Sequence, residues 1–161
     1  SIELLEQDGR SSVLLNGVDV TDRIRTPELS QLASRVSTSK IVRERMVELQ
    51  RDMGSHGGVV AEGRDIGTVV FPNAEVKVFL DASSEERARR RFEELRSQGR
   101  EVTVEETLEE MEQRDRRDRE RDVAPLRKAE DAVVIDSTQA GVDGVVGRIM
   151  QEIKRKQSAI Q

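Results

Sequence analysis

The chain has 161 residues, enough for one domain with a real core, and is 37% charged and 35% hydrophobic with no apolar run near the ~20 residues that cross a bilayer. Its 27 basic and 32 acidic residues leave a net charge of -5, which argues against general nucleic-acid binding, since displacing counterions takes a basic excess. Cysteine is absent and His56 is the one histidine, so disulfides, thiolate metal sites and histidine-based zinc sites are excluded, and with an acidic start lacking a signal-peptide pattern a cytoplasmic protein is the simplest expectation.

In chain order, residues 12–24 read as a hairpin: Val13-Leu14-Leu15, the turn Asn16-Gly17, then Val18-Asp19-Val20. Thr26-Pro27-Glu28 opens a helix, with Thr as N-cap, Pro at the first helical position and Leu29, Leu32, Ala33 and Val36 as the apolar stripe. A second helix runs from about Ser39 to Met53 and gives way to the loop Gly54–Gly58. Three short β-branched runs follow, Val59-Val60-Ala61, Val76–Leu80 and Ala132–Ile135, with helices between the last two. That alternation predicts βαβ units and a parallel sheet. Ser83/Ser84 with Glu86 starts a helix that ends near Gly99, and the capping box Thr103…Glu106 opens another. The latter is expected to dissolve into the charged run Arg114–Arg121. Residues 142–156 form the last helix.

Two constellations carry chemistry. Glu62-Gly63-Arg64-Asp65-Ile66-Gly67 follows the expected strand at 59–61, where ligands of open parallel sheets bind, and its glycines let backbone approach a ligand. A charged loop stabilised by Glu–Arg pairing is the competing reading. Farther on, Arg114, Arg117, Asp118 and Arg121 share one face of a helix, and three guanidinium groups so placed suit a phosphate among them. A solvated helix laced with Asp/Glu pairs explains the same pattern, and it explains Arg87, Arg89, Arg90, Arg91 and Arg96 better. The sequence contains no Gly-x-x-x-x-Gly-Lys-Ser/Thr motif and no Gly-Lys dipeptide, hence no cradle for an ATP triphosphate and no hydroxyl of that motif for Mg²⁺.

The stretch Glu62–Pro72 closely resembles a signature of bacterial cytidylate kinases, as do Phe79–Ala88 with Arg90-Arg91, the run Arg114-Asp115…Asp118-Arg119…Arg121 with Ala124-Pro125-Leu126, and Asp131-Ala132…Ile135–Thr138. The match covers essentially the whole chain in order. The resemblance implies an α/β, adenylate-kinase-like fold with a parallel sheet, here missing its first strands, a nucleoside-monophosphate-binding insert and a helical lid. By position, residues 1–57 would be mostly the insert, 58–84 core strands and the EGRDIG loop, 85–122 the lid, and 123–161 a core strand and C-terminal helix. It further implies that Ser34, Arg43 and Asp65 read cytosine and that Arg64 and Arg121 hold phosphate, with Arg117 a third such ligand. Arg114 and Asp118 would contact the sugar and the transferring phosphoryl region, and Glu62 would support the site. The substrates implied are CMP, dCMP and ATP, with ATP and Mg²⁺ serving the family, no nucleic acid or membrane partner, and a monomer as the family's state.

The family's opening strand, phosphate loop and long helix have no counterpart in these residues, so the chain is expected to be a fragment, inactive alone, that self-associates or pairs with the missing segment. Its 58–62 strand is then expected to be displaced, swapped or paired with another chain. The alternatives are a catalytically inactive CMP-binding module and a related nucleoside monophosphate kinase with another base preference. A surface hairpin of the Glu/Arg-rich helices that binds a partner helix is weaker, because no long heptad seam is present.

Overall fold

The computed structural model describes residues 1–7 and 9–160, and the chain divides into two compact units, Ser1–Arg43 and Glu44–Gln161. In the first, β1 (Ile2–Gln7), β2 (Arg10–Leu15) and β3 (Val18–Asp19) form an antiparallel meander in which Ile2 faces Leu15 and Leu14 faces Asp19. The expected hairpin is β2–β3. Asn16 and Gly17 both have positive φ, 51° and 79°, as a twist-matched two-residue turn requires. Strand β1 lies outside the hairpin expected from sequence. Past β3, Asp19 accepts from the Thr21 amide (2.8 Å) and hydroxyl (2.6 Å), and Thr21 Oγ1 accepts from the Val13 amide (2.9 Å). Helix α1 (Pro27–Val36) starts as expected, with Thr26 Oγ1 accepting from the Leu29 amide.

Helix α2 (Lys40–Met53) begins in the first unit and ends in the second, and a tight glycine turn follows it. A Cβ on Gly54 would lie 2.5 Å from Phe71 Cζ, so only glycine lets the ring close over this turn. Residues 59–61, expected to be a strand, are not one. They run without regular structure, and Val60 is fully exposed. A strand exists only where a neighbour takes up its backbone hydrogen bonds, and none among the described residues does so here. Next comes a single π-helical turn, Ile66–Val70, in which Asp65 O accepts from the amides of Thr68, Val69 and Val70.

The parallel pairing holds for the other two runs: β4 (Val78–Asp81) and β5 (Val133–Asp136) are in register from Val78↔Val133 to Asp81↔Asp136. Between them lie α3 (Ser84–Ser97) and α4 (Val104–Glu120), packed on one another. Both start at the predicted caps, Ser83 and the reciprocal Thr103–Glu106 box. Contrary to expectation, α4 does not dissolve in its charged half but stays helical to Glu120. Arg and Glu are good helix formers, and the run is laced with i, i+3 and i, i+4 pairs. The final helix, α5, spans Val142–Ile160. The buried apolar residues described in the second unit are Val70 of the π-turn, Ala88 and Leu95 of α3, and Ile135 of β5.

Candidate functional site: an arginine–aspartate cluster

The second unit gathers charged side chains from three segments. Arg64 and Asp65 come from the loop before the π-turn. Arg87 comes from the first turn of α3, and Arg114, Asp115, Asp118 and Arg121 come from the last turns of α4 and its cap. Arg64 reaches two carboxylates, Nη1 to Asp115 Oδ1 at 3.1 Å and Nε to Asp118 Oδ2 at 3.2 Å. Asp115 Oδ2 takes Arg87 Nη1 at 2.6 Å. Asp118 also faces Arg114 at 3.9 Å and Arg121 at 3.6 Å, and Arg121 faces Asp65 at 3.9 Å. Asp65, Asp115 and Asp118 are all buried.

Backbone geometry fixes these positions. Arg121 leaves the helical conformation as the C-cap of α4 (φ -61°, ψ 140°), and its Nε donates to Ala124 O at 2.7 Å. Ala124 adopts φ 50°, a left-handed conformation uncommon for a residue with a Cβ, and the Leu126 amide returns to Asp118 O at 2.6 Å. The chain after α4 is thereby folded back on the helix end that carries the cluster. On the loop side, Arg51 of α2 donates from Nε to Val70 O (3.0 Å) and from Nη2 to Val69 O (2.6 Å), which holds the π-turn beside Asp65.

Four guanidinium groups thus surround three carboxylates, all within bonding or near-bonding range. The positive excess is felt: burial first, then the Arg64 charge, pushes the Arg114 guanidinium down from its ordinary value against the pull of Asp118 and Asp115. The Nε of Arg114 makes no hydrogen bond among the described residues, and Asp118 Oδ2 meets its arginines without hydrogen-bond geometry. Such a cluster has the charge and the donors to take up a small anion.

Of the residues singled out from sequence, Arg64, Asp65, Arg114, Asp118 and Arg121 come together here. Arg117 is half-buried on α4, whereas Glu62 is exposed and makes none of these ion pairs. Ser34 of α1 and Arg43 of α2, both residues of the first unit, are buried, and the Ser34 hydroxyl has no hydrogen-bond partner among the described residues. The competing reading of the α3 arginines holds for Arg89 and Arg91, which pair with Glu86, Glu93 and Glu94, and Arg96 lies over the Phe92 ring. It fails for Arg87, which belongs to the cluster. It is incomplete for Arg90, which pairs with Glu86 and also donates to Ser137 Oγ (3.1 Å) and O (2.6 Å) after β5. Asp115, Arg87 and Arg51 are the participants that sequence reasoning missed. The i, i+3 spacing of Asp115 and Asp118 on α4 was the one available signal for Asp115.

The profile of the family described as Cytidylate kinase matches residues 2–155. A cytidylate kinase of Syntrophotalea carbinolica is 53% identical over 156 residues, covering 97% of this chain and 66% of the relative. Those of Geobacter sulfurreducens and Bacillus subtilis are each 49% identical, covering 98% and 96% of this chain and 68% and 69% of themselves. The chain thus spans about two thirds of the length of these relatives.

Proposed function

The chain belongs to the cytidylate kinase family, and on that premise we propose that it supplies the CMP site and the closing lid of an enzyme that moves a phosphoryl group from ATP to CMP or dCMP. The observation that carries this reading is the buried cluster in which Arg64, Arg114 and Arg121 are held by Asp65, Asp115 and Asp118. Phosphoryl transfer asks little covalent chemistry of a protein, and positioning and neutralising charge on the moving group does most of the work. Arg64 and Arg121 are assigned to the monophosphate together with Arg117, and Arg114 and Asp118 to the sugar and the transferring group. Asp65 accepts from the cytosine amino group while Arg43 and Ser34 bond its acceptors, so uracil leaves buried groups unpaired. With aromatics at 2% and all of them Phe, hydrogen bonds rather than stacking on Tyr or Trp read the base.

In this reading the fold is the adenylate-kinase-like one, α3 and α4 are the lid, residues of the first unit form the monophosphate insert, and Glu62 supports the site from its rim. ATP is the phosphoryl donor and Mg²⁺ its usual companion. Among the described residues no group of His, Cys, Asp or Glu could hold a metal ion. The cluster's own carboxylates are already committed to arginines, so the described residues do not fit a Mg²⁺ site. With no phosphate-loop motif in its 161 residues, the chain by itself is expected to bind CMP without turning it over.

Calorimetry with CMP, UMP and cytidine, beside a coupled assay for ADP release, tests this. CMP is expected to bind at least about tenfold more tightly than UMP, a difference of ~1.4 kcal/mol, with no ADP formed. Arg43→Ala or Asp65→Ala should weaken CMP binding by a similar factor. Unchanged CMP affinity in both would favour a kinase for another nucleobase, and ATP- and CMP-dependent turnover by this chain would refute the binding-only reading.

A further inference from the structure

Asp115 lies about one and a half turns from the C-terminal end of a 17-residue helix, buried, at a position where aspartate does nothing for helix formation. Its two oxygens serve two different segments, Oδ1 meeting Arg64 Nη1 at 3.1 Å and Oδ2 meeting Arg87 Nη1 at 2.6 Å. Arg87 is itself well anchored. Its Nη2 lies 3.3 Å from Ser84 Oγ at the start of α3, and the preceding Ser83 amide donates to Thr138 Oγ1 at 3.0 Å in the loop after β5. Arg64, by contrast, stands on a loop without regular structure and carries a long, freely rotating side chain that is one-third exposed. Asp118 lies 3.2 Å from its Nε and Asp115 3.1 Å from its Nη1, two ion pairs that confine the guanidinium and leave Nη2 for an anion.

We propose that Asp115 is a positioning residue: through the bridge Arg64–Asp115–Arg87 it ties the Arg64 guanidinium to the β4–α3 junction in the orientation that meets the substrate phosphate. The inference rests on the CMP-site reading. It separates Asp115 from a simple counter-charge, because the two roles predict opposite effects. Removing a negative charge near a phosphate strengthens anion binding, whereas losing the orientation of Arg64 weakens it.

The experiment measures CMP and cytidine affinities by calorimetry for the unaltered chain and for Asp115→Asn, Arg87→Gln, Arg64→Ala and the Arg64→Ala/Asp115→Asn pair. The ratio of CMP to cytidine affinity isolates the phosphate's contribution. Asp115→Asn is expected to lower that ratio about tenfold with cytidine affinity unchanged, and to lower it no further once Arg64 is alanine, the non-additivity of residues acting as one unit. Arg87→Gln reaches the bridge from its other end and is expected to lower the ratio about threefold. It decides the matter if Asp115→Asn does not fold. An unchanged or raised ratio in the folded variants, or an equal loss in the presence and absence of Arg64, overturns the role of Asp115 while leaving the CMP site standing. An unaltered chain that binds CMP no better than cytidine overturns both.

Discussion

Glu86, in the first turn of α3, shows how closely the arginines of this chain are matched to acids. Arg89 hydrogen-bonds its carboxylate first and Arg90 second, at 2.8–2.9 Å, and together they hold its pKa down to about 2 from the ordinary 4.5. The folded-state value lies below the unfolded one. The stabilisation is therefore fully present above about 4.5 and is lost as the pH falls through about 2. A carbon NMR titration of the Glu86 carboxyl should show a midpoint near the lower value, and Glu86→Gln should lower the melting temperature near neutral pH yet lose its effect as the pH approaches 2. At this scale the sequence showed which residues are charged and which of them share a helix face, hence Arg114, Asp118 and Arg121. It could not show that Arg87 leaves its acidic neighbours for Asp115, 28 positions away, because that choice is made by how α3 packs on α4.

The π-helical turn Ile66–Val70 is an element with little to hold it by itself, since a single wide turn gains few hydrogen bonds for the residues it fixes. Arg51 supplies what is lacking by bonding the carbonyls of Val69 and Val70. Arg51→Ala should destabilise the chain by about 1–3 kcal/mol, the usual range for stranding a partly buried acceptor, here the Val70 carbonyl, of a charged donor, read as a lowered urea midpoint. It should also loosen Asp65, whose carbonyl accepts from three amides of the turn. Elements begun by local chemistry were legible: Thr26, Ser83 and Thr103 each cap a helix through side-chain bonds three residues ahead. Elements that depend on a distant partner were not. Ile2–Gln7 pairs with β2 despite its imperfect alternation, while Val59-Val60-Ala61 has β-branched residues and no pairing.

Over the chain as a whole, the buried apolar set among the described residues is small, with Val20 in the first unit and Val70, Ala88, Leu95 and Ile135 in the second. Large apolar side chains stand exposed on both sheets and on α5, among them Leu4, Val18, Leu80, Val134, Val142 and Met150. Exposed apolar surface on this scale marks places that another surface covers. A hydrophobic dye is accordingly expected to fluoresce strongly with the native chain, and the calorimetric unfolding transition to be broad. A sharp transition with no dye signal would contradict this. No helix among the described residues is long and apolar enough to cross a membrane. The parallel pairing of β4 and β5 was readable because both runs are short, β-branched and separated by helices. The division into units was not, because it follows no change in composition and falls inside a helix. Helix α2 starts at Lys40, yet the boundary lies between Arg43 and Glu44, leaving ten of its fourteen residues on the far side. Dissecting the chain at that point would strand Arg43 on a four-residue stub, far too short to stay helical in water.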